Sequence, residues 1–129
     1  MFSHITVGTN DLPRAIAFYS KLLEPLGIAL KAHRHAPERA IYAHPDSDVV
    51  FCVYEPIDGQ AASAGNGSLV AFEARTRHQV DSFHARAMQL GGIDEGLPGL
   101  RLHYSPTYYG AYVRDLDGNK LCCVCHLPE

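Results

Sequence analysis

Positive charge is in short supply in this sequence. Lys and Arg number 11 against 14 Asp and Glu, giving a formal net charge of −3 with the two signs interspersed over 129 residues. A nucleic-acid binder concentrates Lys and Arg in a patch or stripe, so no nucleic-acid partner is expected. The densest basic stretch, Lys31 to Arg39, carries Lys31, Arg34 and Arg39 with His33 and His35 among them, but Pro37 and Glu38 interrupt it. It reads as a solvated strand and turn, with a phosphate or polyanion site as the alternative. Long apolar runs are missing too, since none reaches the roughly 18 residues that span a bilayer. No membrane partner is therefore expected. The opening Met1-Phe2-Ser3-His4-Ile5 has neither the basic leader nor the apolar region of a signal peptide, and the expected location is the cytoplasm. Two catalytic signatures are also absent. Gly65-Asn66-Gly67 lacks the lysine and the strand-to-helix context of a phosphate-binding loop, and no G-x-S-x-G nucleophile elbow occurs.

What is present is globular: 47% hydrophobic and 19% charged residues, enough for a single domain covering residues 1–129. Cys52, Cys122, Cys123 and Cys125 suggest neither a disulfide nor a structural zinc site. Three of them share one predicted strand, where same-face neighbours sit about 6.5 to 7 Å apart, beyond easy disulfide reach. A lone Cys-x-Cys also lacks a second ligand pair. They read as small buried hydrophobes, with Cys123 and Cys125 on one face and Cys122 on the other.

The chain repeats itself. Ser3-His4-Ile5-Thr6-Val7 aligns over Ser68-Leu69-Val70-Ala71-Phe72, and in the same register Phe18 falls over Phe83 and Gly27 over Gly92. Each half predicts a strand, a helix and three further strands. In the first, from about 1 to 57, strand Phe2 to Gly8 precedes a helix capped by Asn10 or Asp11, with Ala15, Phe18, Tyr19, Leu22 and Leu26 as its apolar stripe and Gly27 as its stop. Strands follow near 28–32, 39–43 and 49–55. A small-residue linker at about 58–67 leads to the second half, about 68–129. There Thr76 and Gln79 form a capping box, and Gly91-Gly92 ends the helix. Residues 93–107 predict a short strand and a long loop, followed by two strands joined through Asp115-Leu116-Asp117-Gly118-Asn119, a turn by composition. The expected class is α+β, two βαβββ modules forming a curved mixed sheet.

These features resemble the vicinal oxygen chelate superfamily, which includes glyoxalase I, extradiol dioxygenases, and fosfomycin and bleomycin resistance proteins. The resemblance rests on S-H-I-T-V-G-T-N-D-L followed by A-x-x-F-Y, on G-N-G-S-L-V-A-F, and on the closing V-R-D-L-D-G-N-K-L. It covers essentially the whole chain. It implies a cleft between the modules that takes a small molecule, in metal-dependent relatives around a divalent ion held by one residue from each of up to four strands. The corresponding positions here are His4, Phe51, Leu69 and Cys122, with Glu55 as an alternative to Phe51. His4 and Cys122 are thus the only candidate metal ligands. One imidazole and one thiol fall short of the several converging donors that a divalent ion needs. No cofactor is therefore certain, with a divalent metal ion the one candidate. Without the resemblance, His4 reads as a strand histidine hydrogen-bonded to a neighbour.

An apolar cleft floor at Phe51 and Leu69 suggests a ligand pocket instead. His103, Tyr104, Tyr108, Tyr109 and Tyr112, dense in and after the long loop, offer flat faces and hydroxyls for a substrate, or else form an aromatic core strand with a mobile flap. Arg101 and Arg114 read as exposed strand-edge charges or as partners for a ligand anion. The resemblance implies a small-molecule-acting protein with a degenerate metal centre, the alternatives being a metal-dependent lyase of the lactoylglutathione lyase kind or a dioxygenase, and a non-catalytic binding protein. It also implies a homodimer.

Overall fold

The computed structural model describes all residues 1–129. The first module runs β1 (His4–Gly8), α1 (Leu12–Leu22), a short 3-10 turn (Glu24–Leu26), β2 (Ala29–Arg34), β3 (Arg39–Ala43) and β4 (Val50–Tyr54). The second runs β5 (Val70–Ala74), α2 (Arg77–Gln89), β6 (Ile93–Leu100), β7 (Tyr109–Arg114) and β8 (Lys120–Cys125). Each module makes its own four-stranded mixed sheet, ordered β1-β4-β3-β2 and β5-β8-β7-β6. In both, the first strand pairs parallel with the last and the remaining pairs are antiparallel. The register repeats as well: Thr6 opposes Cys52 as Ala71 opposes Cys122.

Local chemistry sets the element ends. Asp11 caps α1 by accepting the Arg14 N–H at 3.1 Å, with proline tolerated in the first turn. The α-helix stops at Leu22, earlier than its apolar stripe suggests, because Pro25 supplies no N–H and the chain tightens into the 3-10 turn. Gly27, at φ 74°, then closes it in the left-handed conformation. The Thr76–Gln79 capping box is complete at α2. The expected short strand after α2 extends instead through Pro98-Gly99 to Leu100. As the edge strand of its sheet, β6 can carry a proline and two register shifts without breaking a central ladder.

One cluster of buried side chains joins the modules. Val7, Phe51 and Val53 of the first sheet and Phe72, Val113 and Leu121 of the second meet helices α1 and α2 through Phe18, Tyr19 and Phe83. The Phe51 and Phe72 rings touch edge to face at 5.1 Å between centroids. Cys123 and Cys125 belong to this core, and all four cysteines are free and buried. Neither helix is long and apolar enough to cross a membrane.

The β7–β8 turn is the polar seam between the modules. The buried Asp115 carboxylate accepts the N–H groups of Asp117 and Asn119 at 2.9 and 2.8 Å, and its second oxygen accepts the Tyr19 hydroxyl from α1. Asn119 Nδ2 donates to Gly8 O at 2.9 Å, while Asp117 accepts the Thr9 hydroxyl at 2.6 Å, the Asn10 N–H at 3.0 Å and Arg14 Nη2 at 3.2 Å.

Candidate functional site

Side chains alternate across each strand, so every sheet has an inner face packed on the shared core and an outer face turned from it. On the first sheet the outer face carries His4 and Thr6 of β1 beside Val50, Cys52 and Tyr54 of β4. On the second it carries Ala71 of β5, Cys122 of β8 and Tyr112 of β7, paired Ala71 to Cys122 and Tyr112 to Cys122.

This register relocates one candidate. Phe51 was expected beside His4, but it pairs with Ile5 on the inner face and packs its ring on Tyr19 at 5.1 Å. From there it lines an apolar crevice of about 280 Å³ between edge strands β1 and β5, with Ile5, Val50, Val70, Ala71 and Phe72. The outer-face residue equivalent to Cys122 is Cys52. Glu55, the other alternative, lies on the inner-face side and accepts the Leu12 N–H of α1 at 3.3 Å, which makes it part of the helix start.

The four outer positions are thus His4, Cys52, Leu69 and Cys122. His4 is exposed, with Nδ1 2.9 Å from Ser3 Oγ. Leu69, 45% exposed, directly precedes β5 and offers hydrocarbon. Burial raises both the Cys52 and Cys122 thiols above the ordinary range, which favours the protonated form that does not ligate. No group of three His, Cys, Asp or Glu donors gathers at any of these positions. The set does not fit the oxygen- and nitrogen-rich shell that a magnesium, manganese or iron(II) centre requires.

The second outer face has a cover. Tyr108 folds over β7 and β8, its hydroxyl 2.8 Å from that of Tyr112 and 3.7 Å from Cys122 Sγ. The cover depends on Gly110, because a Cβ there would lie 2.9 Å from a Tyr108 ring carbon. Around it, the Tyr104 ring lies tilted against Tyr108 at 4.9 Å between centroids and His103 tilted against Tyr104 at 4.2 Å, while His126 meets Tyr108 edge on at 5.4 Å. Arg101 and Lys120 place their charges 5.5 and 5.7 Å from the Tyr112 ring centroid. Burial raises the Tyr108 and Tyr112 phenols, Tyr108 more strongly, so both stay protonated at neutral pH. His103, Tyr104, Tyr108 and Tyr112 lie side by side here, and Tyr109 does not join them. It points to the helix side, where its hydroxyl donates to Asp81 at 2.6 Å and Arg77 lies over its ring. Arg114 pairs with Glu95.

The comparisons agree with this architecture. The profile of the Glyoxalase/Bleomycin resistance protein/Dioxygenase superfamily matches residues 1–123. A glyoxalase/bleomycin resistance protein from Albidiferax ferrireducens T118 is 41% identical with TM-score 0.86, the alignment covering 98% of this chain and 99% of that one. The fosfomycin resistance protein FosX from Listeria monocytogenes shares the fold at 17% identity and TM-score 0.70, over 98% of this chain and 93% of its own. So does TnmS3, an antibiotic binding protein from Streptomyces sp. CB03234, at 18% identity and TM-score 0.68, over 98% of this chain and 96% of its own. No curated protein matches. Sequence profile, repeat and sheet order lead to the same conclusion: the chain belongs to the Glyoxalase/Bleomycin resistance protein/Dioxygenase superfamily.

Proposed function

We propose that this protein binds a small, flat, amphipathic compound against the outer face of its second sheet, without metal-dependent catalysis. The observation that carries this reading is the cover over Cys122: where metal-dependent relatives place an acidic ligand, this chain has a buried thiol under Tyr108. Tyr104, Tyr108 and Tyr112 supply aromatic faces, and Arg101 and Lys120 supply positive charge for a polar or anionic edge. Neither central phenol is poised as a base, since burial holds both protonated at neutral pH.

The reading includes a two-fold homodimer, in which the outer face of the first sheet of one protomer closes over the aromatic face of its partner. Its support is apolar exposure along β6 and the loop after it, where Leu97, Leu102 and Tyr104 are 66%, 70% and 62% exposed. TnmS3 is an antibiotic binding protein of the same fold, consistent with binding as an end in itself.

Two measurements test the reading. Calorimetric titration with planar aromatic carboxylates should give affinity that weakens about tenfold or more in Tyr112→Ala. Assays with the glutathione hemithioacetal of methylglyoxal in added manganese, nickel or zinc should show no turnover. Metal-dependent turnover lost in His4→Ala would replace this proposal with a lyase.

A further inference from the structure

We propose that His33, His35 and Glu38 form a surface site for a transition-metal ion such as zinc(II), nickel(II) or copper(II), at the hairpin between β2 and β3. The donor atoms of these three residues all lie within 4.8 Å of one another, and no other group of three His, Cys, Asp or Glu in the chain does so. His33 Nε2 is 3.0 Å from one Glu38 oxygen, and His35 Nδ1 contacts the other. The two imidazole rings lie 4.7 Å apart. A tetrahedral ion with bonds of about 2.0 to 2.1 Å holds its donors about 3.3 Å apart, so small side-chain rotations would bring all three onto one ion. Two imidazoles and one carboxylate suit zinc, nickel and copper better than magnesium or calcium, and exposure leaves a position for water.

The surroundings hold the donors ready. Glu38 O accepts the Glu55 N–H at 3.0 Å, which fixes the turn against the strand beside it. The neighbouring Arg39 does not compete for the carboxylate: it donates to Pro37 O at 2.9 Å and lies 5.9 Å from the Tyr54 ring centroid. The site is on a different element from His4, Cys52, Leu69 and Cys122. Metal found in purified protein would therefore not by itself indicate a catalytic centre on the strands.

The test is calorimetric titration of zinc(II) and of nickel(II) into protein without a histidine tag. One ion per chain is expected. Affinity should fall by at least about tenfold in His33→Ala with His35→Ala and in Glu38→Gln, and stay unchanged in His4→Ala. Circular dichroism on each variant verifies the fold, and His33→Gln with His35→Gln serves if the alanine pair disturbs the hairpin. Cobalt(II) should give the ligand-field bands of a nitrogen and oxygen site. Three results would overturn the proposal: no stoichiometric binding, binding untouched by the hairpin substitutions, or a thiolate-to-cobalt charge-transfer band placing the ion on a cysteine.

Discussion

In module one the turn between β3 and β4 bonds only to itself. The Asp46 N–H donates to His44 Nδ1 at 3.0 Å, the Ser47 N–H to His44 O at 3.1 Å and the Val49 N–H to Ser47 Oγ at 3.1 Å. In module two the corresponding turn reaches across to the other module, with Asp115, Asp117 and Asn119 bonded to Tyr19, Thr9, Asn10, Arg14 and Gly8. The outer faces differ in the same way: module one leaves His4 and Thr6 open, while module two covers Cys122 with Tyr108. A repeated backbone is held in common by its ladder and core, because a one-residue slip would turn every inner side chain outward. Turns and outer faces carry no such constraint. They have diverged into a docking element on one side and an aromatic surface on the other.

The difference between the turns predicts the largest effect. Asp115→Ala removes the acceptor of several buried donors, which costs about 2 to 4 kcal/mol of unfolding free energy. Asp46→Ala, at a side chain 76% exposed, should stay within about 0.5 kcal/mol. Urea denaturation of the two variants makes the comparison, and equal losses would mean that the turn does not hold the modules together.

The difference between the faces can be reversed in part. Leu69→His with Cys122→Glu and Tyr108→Ala supplies two more donors near His4's counterpart positions and removes the cover. Introduced into the His33→Ala, His35→Ala background, these changes should raise manganese affinity by well over tenfold. Calorimetry showing no gain would separate the strand alignment from the family's ligand positions.

A smaller change isolates the cover itself. With Tyr108→Ala alone, Cys122 should react several-fold faster with a thiol reagent, because removing the cover opens access to the sulfur. Cys52, its counterpart in module one, should keep its parental rate. Mass spectrometry of the labelled protein distinguishes the two thiols, and equal acceleration at both would indicate general loosening instead of removal of a local cover.

The repeat, both helix caps and the family resemblance were legible in the sequence, because glycines, capping residues and apolar spacing act locally. Phe51 was misplaced for a physical reason. Val50, Phe51, Cys52 and Val53 form a nearly continuous apolar run, and such a run hides which residues face inward. Only pairing with β1 and β3 determined the faces. Tyr109 was misassigned because it sits beside Tyr108 in sequence, while strand alternation sends the two to opposite faces. In the sequence His33, His35 and Glu38 read only as parts of a basic, solvated turn, because their closeness depends on how that turn folds back.

Tyr108 and Tyr109 allow one last, smaller test of that alternation. On the helix side, the hydrogen bond to Asp81, followed by burial, pushes the Tyr109 phenol up to about 12. The unfolded phenol titrates near 10. A raised pKa means that the folded state favours the protonated phenol, so its contribution to stability is complete below about pH 10 and is lost as pH rises from about 10 to 12. Asp81→Asn removes the carboxylate and should move the Tyr109 titration back toward 10, leaving Tyr108 and Tyr112 unaffected on the other face. Ultraviolet difference titration of the parent, Asp81→Asn and Tyr109→Phe identifies the transition. If Asp81→Asn also shifted the phenols on the outer face, the two sides of β7 would not be insulated from each other, and the aromatic surface would be coupled to α2.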